Sequence, residues 1–221
     1  MTVRPYRGKD YERMKPFGLS ILVLGESSYN PEDRDGPLPP DWSERIINCV
    51  FKKERDITIT RAASVFYGSL QPFSQRQQFW DTAAFTNCVQ DSAGSGPRQR
   101  PTKLKWDRGQ KAFHETIESL KPEFVLALGK ELWDHAFRQD EGPCQVVSLQ
   151  GNIGPYCVYP NSGGSSFVFG IRHPPLRQWG QVLGLSSIAT TKVASATGTL
   201  RCPVADTRNK EVKQRQKTLW I

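Results

Sequence analysis

Four short apolar runs constrain the fold of this chain more tightly than any other feature. Residues 19–24 (LSILVL) stop at Gly25, and residues 123–128 (EFVLAL) stop at Gly129. Residues 83–89 (AAFTNCV) are interrupted by Asn87, and residues 166–171 (SFVFGI) lead straight into Arg172-His173-Pro174-Pro175. Their apolarity is largely continuous rather than alternating, so both faces of each strand must be covered, as inside a parallel sheet. Helix-forming stretches separate them. Asp41 or Ser43 can cap a helix whose apolar face is Ile46, Ile47, Val50 and Phe51. Further helices are expected over 59–67, 74–81, 110–120 and 130–137, and Pro122 stops the 110–120 helix. Strands joined through helices imply a three-layer α/β fold, with a central, mostly parallel four-stranded sheet flanked by helices. Residues 146–159 read as one or two short strands, and 161–166 as a polar turn.

The 221 residues suit one domain, expected over 19–200, with an N-terminal extension (1–18) and a basic tail (201–221). No run approaches the roughly 20 apolar residues of a membrane span. Residues 1–15 are polar and mixed in charge, unlike a signal peptide, so a cytoplasmic protein is expected. Cys49, Cys88, Cys144, Cys157 and Cys202 form no C-x-x-C pair; buried free thiols are expected, and no metal. The formal net charge is +8, which favours a polyanionic partner because each neutralised phosphate releases counterions. Some of that charge lies in the tail. A denser group, Arg98, Arg100, Lys103, Lys105, Arg108 and Lys111, surrounds Trp106. It suits phosphate contact with an aromatic stacking on a base, and equally a solvated loop with the aromatic packed down.

In wound α/β sheets the working residues lie just past the carboxyl ends of the strands. Four polar clusters fall there: Gly25-Glu26-Ser27-Ser28-Tyr29, Asn87, Gly129-Lys130 and His173-Pro174. Each has a bland alternative. Glu26 can cap a turn, Asn87 can be a satisfied core amide, His173 can open a rigid turn, and Tyr29 can simply pack. His114 and His135 lie within helices and read as ordinary packing or surface residues. No Gly-x-x-x-x-Gly-Lys-Ser/Thr loop is present, which argues against a nucleotide-hydrolysing protein.

In this order the clusters resemble the motifs of the uracil-DNA glycosylase superfamily. Gly25-Glu26-Ser27-Ser28-Tyr29 is similar to its Gly-Gln-Asp-Pro-Tyr and Gly-Glu-x-Pro-Gly motifs, with Ser28 where Pro is usual. Phe85-Thr86-Asn87-Cys88-Val89 resembles its Ile-Thr-Asn-Val-Val segment, and residues 120–129 (LKPEFVLALG) its LKPKVIVALG strand. His173-Pro174-Pro175-Leu176-Arg177 resembles its His-Pro-Ser motif and wedge loop, with Pro175 in place of Ser. The iron–sulfur cysteines of the Gly-Glu-x-Pro-Gly branches are missing.

The resemblance implies a monofunctional DNA glycosylase, monomeric and free of metal or organic cofactors. It would flip a pyrimidine out of DNA and hydrolyse its N-glycosidic bond. Glu26 would orient water and stabilise the cationic sugar, while His173 would donate to the base O2. Asn87 would grip the base edge, Tyr29 would screen its C5 side, and Ser27 would line the pocket beside Ser28. Leu176 would hold the gap in the duplex next to Arg177, with Arg98, Arg100, Lys103 and Lys105 on the DNA backbone. The small serines suit uracil or a bulkier modified cytosine, such as the glucosylated hydroxymethylcytosine of phage DNA. The alternative is a non-catalytic nucleic-acid-binding module that keeps the fold.

Overall fold

The computed structural model describes residues 3–30, 36–52, 57–67, 71–96, 99–137, 145–147 and 156–171. In chain order these form β1 (Tyr6–Arg7), β2 (Ile21–Gly25), α1 (Trp42–Phe51), α2 (Ile57–Tyr67), α3 (Phe73–Thr82) and β3 (Ala84–Asn87). Then come α4 (Lys103–Leu120), β4 (Phe124–Leu128), α5 (Lys130–Ala136), β5 (Gln145–Val147), β6 (Tyr156–Asn161) and β7 (Gly164–Ile171). The strands lie in the order β1-β3-β2-β4-β7-β6-β5.

The four strands anticipated from apolar runs occupy the centre. β3, β2, β4 and β7 run parallel, with Val23 opposite both Phe85 and Leu126, and Leu126 opposite Phe169. The expected four-stranded sheet is nevertheless too small. β6 and β5 extend it antiparallel beyond β7, and the two-residue β1 pairs antiparallel on the other edge. Outer strands need only one covered face and main-chain partners, so continuous apolarity does not mark them.

Alternation along the central strands sorts side chains to two cores. Ile21, Val23, Phe85, Leu126 and Leu128 meet α1, α2 and α3 through Ile47, Ala62, Phe66, Phe79 and Trp80. Leu22, Leu24, Val125, Ala127 and Val168 meet α4 and α5 through Phe113, Ile117, Leu132 and Trp133. Helices therefore cover both faces, and the fold is α/β. Each fully buried aliphatic side chain contributes about 1.5–3 kcal/mol. Truncating a central one such as Leu126 to Ala is expected to cost about 2–5 kcal/mol.

The polar turn expected at 161–166 is shorter than its composition suggests. β6 runs to Asn161 and β7 begins at Gly164, with φ 129° at that glycine. Residues 3–18 also join the domain, since β1 pairs with β3 and Val3 and Tyr11 are buried.

α4 begins seven residues before the expected position 110. Thr102 caps it, its side chain accepting from Lys105 N, and Gly109 lets it lie close against the end of β3. A Cβ at Gly109 would sit 2.9 Å from the Cys88 carbonyl oxygen. That contact brings the start of α4 to the carboxyl edge of the sheet.

Candidate active site

Beyond their ends, β2 and β3 stay side by side. Gly25 is the register partner of Asn87, and the next amides continue the pairing, Cys88 N to Gly25 O (2.9 Å) and Val89 N to Glu26 O (3.0 Å). The two loops then meet at a Ser28–Ser92 bridge, where Ala93 N donates to Ser28 O (2.8 Å). The Ser92 hydroxyl accepts from Asn30 N (3.2 Å), and Lys105 Nζ donates to the Ser92 carbonyl (2.8 Å). A loop rich in small polar residues is thus held by backbone bonds, which fixes the side chains it carries.

Glu26, one residue past the end of β2, and Asn87, the last residue of β3, are each 8% exposed. Asn87 Nδ2 donates to Ser28 Oγ at 2.6 Å, which sets the amide's orientation. Its Oδ1 occupies the space that a Cβ at Gly25 would fill, so a larger residue there would displace the amide. Arg100 Nη1 donates to both carboxylate oxygens of Glu26, at 2.9 and 3.1 Å. This hydrogen bond raises the Arg100 pKa further, and the charge of Glu26 adds to it. Behind the pair, burial pushes the Cys88 thiol up to about 12, with a smaller push from Glu26. Cys88 is therefore neutral at physiological pH and no nucleophile. A sheltered carboxylate can hold a water and stabilise a developing cation, and an oriented amide can present donor and acceptor to a planar ring.

The other expected site residues divide sharply. Tyr29 stands at the lip, 39% exposed, and Ser27 beside it is half-buried. His173, Leu176, Arg177 and Arg98 lie outside the described residues. β7 does end at this edge, for the Ile171 carbonyl accepts from Gly129 N at 2.7 Å. His173 follows Ile171 by two positions in the sequence.

The basic segment needs correction. Lys105 is buried, 8% exposed, and its ammonium holds the Ser92 carbonyl, so it is a tie within the fold and not a DNA contact. Trp106 is also buried, stacked on His135 with ring centroids 4.6 Å apart, which removes it as a base-stacking group. Lys103 remains at the surface, 90% exposed and paired with Asp107 at 3.0 Å. Arg108 pairs with Asp91 at 2.9 Å. The expectation of buried thiols outside disulfides holds for Cys88; Cys49 forms no disulfide but is only half-buried, and Cys157 is disulfide-bonded. Sequence spacing tests for metal pairs and says nothing of thiols that folding brings together.

Sequence reasoning missed Ser28 as the orienting partner of Asn87 and Arg100 as the partner of Glu26. The pairs are 59 and 74 residues apart, and only the parallel sheet and the turn into α4 join them. Among the described residues, no three His, Cys, Asp or Glu side chains gather as metal ligands. No helix among them is long and apolar enough to cross a membrane. Comparison with protein-family models and with curated protein sequences yields no match.

Proposed function

We propose that this chain is a monofunctional DNA glycosylase of the uracil-DNA glycosylase type, which removes a flipped-out pyrimidine and leaves an abasic site. The observation that carries the reading is that Glu26 and Asn87, both nearly buried, fall at the carboxyl ends of adjacent parallel strands. The parallel centre with helices on both faces supports the matching fold assignment.

Hydrolysis of an N-glycosidic bond passes through an oxocarbenium-like sugar while negative charge grows on the departing base. Glu26 faces the sugar as an anion sheltered from water, stabilising the cation and orienting the attacking water. Asn87, turned by Ser28, keeps its Oδ1 and one Nδ2 hydrogen for the base edge. His173, assigned from the sequence, donates to O2 of the leaving base. Tyr29 at the lip screens C5, and Ser27 and Ser28 leave room for uracil or a modified cytosine. The target nucleotide must leave the stack first, which selects DNA as partner and explains the basic balance of the chain.

The test is incubation with DNA containing uracil, hydroxymethylcytosine or glucosylated hydroxymethylcytosine, followed by alkali. Strand breaks at one of these bases are expected. Intact strands from all three would end the glycosylase reading. One observation favours a second reading, a nucleic-acid-binding module without catalysis: the Glu26 carboxylate already carries a cationic partner. That module would bind DNA and leave every base in place.

A further inference from the structure

Arg100 was expected on the DNA backbone, and the structure puts it on Glu26. We propose that it does both: Arg100 is a positioning residue that orients Glu26 with one edge of its guanidinium and engages a phosphodiester of the target strand with the rest. Docking of DNA would then be tied directly to the geometry of the carboxylate. The catalytic half of this inference rests on the glycosylase reading above.

Glu26 is almost wholly sheltered, and among the described residues its side chain accepts only from Arg100. A buried carboxylate with a single partner takes its orientation from that partner. The partner is not buried, since the Arg100 side chain is 59% exposed. Guanidinium is planar and carries five N–H donors in a fixed fork. Nη1 alone spans both Glu26 oxygens, which among the described residues leaves Nη2 and Nε of this largely exposed side chain for a second acceptor. Arg100 stands two residues ahead of the N-cap of α4, at a helix start that favours an anion. The first turn of α4 contains no acidic residue, and exposed Lys103 opens it. Glu131 and Tyr29 are the other groups whose charge acts on Arg100, and both act more weakly than Glu26. Lysine could not do both here, because a point charge drawn to a phosphate has no second edge with which to orient Glu26.

The experiment compares wild type, R100A, R100K, E26Q and the E26Q/R100A double variant. Affinity for undamaged duplex is measured against salt, and single-turnover rates are measured at saturating enzyme on whichever base the wild type removes. R100A should lower the saturating rate about tenfold or more and reduce the log–log salt slope by about 0.9, one phosphate's share. R100K should regain the slope and stay slow. E26Q should bind undamaged duplex several-fold more tightly, since the guanidinium no longer divides its donors, and this gain should vanish in the double variant. A change in R100A confined to the slope would reduce Arg100 to a phosphate contact, and one confined to the rate would remove the DNA half. No change in either would leave a surface ion pair, and all three outcomes overturn the proposal.

Failure of the glycosylase reading shows separately, as wild type that yields no abasic sites on any DNA. The binding series then still decides the phosphate half. Nitrogen-15 spectra of the Arg100 side chain decide the positioning half: slowed Nη rotation in wild type that persists in E26Q would refute it, and its loss would support it.

Discussion

Two glutamates sit at opposite ends of the same pair of central strands, and the protein treats them differently. Glu123, at the amino end of β4, is 29% exposed and richly bonded. Its carboxylate accepts from Ser20 N (3.0 Å), Ser20 Oγ (3.3 Å) and Lys15 Nζ (3.1 Å). Its backbone carbonyl accepts from Phe167 N (3.0 Å), so one residue ties together the starts of β2, β4 and β7. Glu26, at the carboxyl end of β2, is far more sheltered, yet among the described residues only the exposed side chain of Arg100 reaches its carboxylate. Burying a carboxylate normally demands more compensation, not less. The amino end of the sheet is organised for stability. The carboxyl end keeps a sheltered charge held by one exposed cation among the described residues, a pattern that fits the site proposed above.

The sharpest way to break this contrast is to neutralise both ends. Glu26→Gln should slow base excision by about a hundredfold or more while the melting temperature stays level or rises. Glu123→Ala should do the reverse, retaining the excision rate and losing about 1–2 kcal/mol of stability, a fall of about 2–8 °C in Tm. Single-turnover kinetics and thermal melts on the two variants check this. Should Glu26→Gln unfold the protein while Glu123→Ala stays intact, the roles assigned to the two ends are reversed.

A smaller effect is expected at Asn87. Its amide already spends one donor on Ser28, so removing it takes away the remaining bonds to the base edge and leaves the rest of the site standing. Asn87→Ala should raise the barrier of the chemical step by about 2 kcal/mol, roughly thirtyfold in rate. Affinity for undamaged duplex should scarcely move, because phosphate contacts supply most of it. Ser28→Ala should produce a milder version of the same loss. A wild-type rate in Asn87→Ala would return that residue to the role of a core amide.

The contrast between the two ends was half legible in the sequence. Continuous apolar runs pick out β2, β3, β4 and β7, because a strand covered on both faces has no freedom to place polar residues. The same logic puts Glu26 and Asn87 at strand ends, but it cannot say what they touch. Ser28 and Arg100 reach them through tertiary pairing across 59 and 74 residues, and no local period encodes that. β1 and the Asn161–Gly164 end of the β6–β7 hairpin escaped for a different reason, since main-chain ladders hold them and carry no side-chain signature. The first two turns of α4 were hidden by their charge, although Pro101-Thr102 before Lys103 is a readable helix start. A count of positive residues does not distinguish an ammonium in solvent from one drawn inward on an apolar stem.

The split between built-in and waiting charges recurs among the cations, and it supports the smallest prediction. Lys103 and Lys105 sit two positions apart at the start of α4, so a helix turns them to different sides. Lys105 goes inward to the Ser92 carbonyl, bracing the loop that pairs with residues 28–30; Lys103 stays in solvent with Asp107. Replacing Lys105 by Met keeps the apolar stem and deletes one charge-assisted bond, so stability should fall by about 1.5 kcal/mol. The salt slope of DNA binding should not change, because that charge never faces a phosphate. Lys103→Ala should leave stability within about 0.5 kcal/mol, since an exposed i,i+4 pair contributes little. If the start of α4 faces DNA, that variant should reduce the salt slope by up to about 0.9. Denaturant melts and salt titrations on both variants separate the outcomes. A salt slope lowered by Lys105→Met and untouched by Lys103→Ala would mean that the inward lysine is released when DNA binds, and the carboxyl edge would then be a jointed surface rather than a braced one.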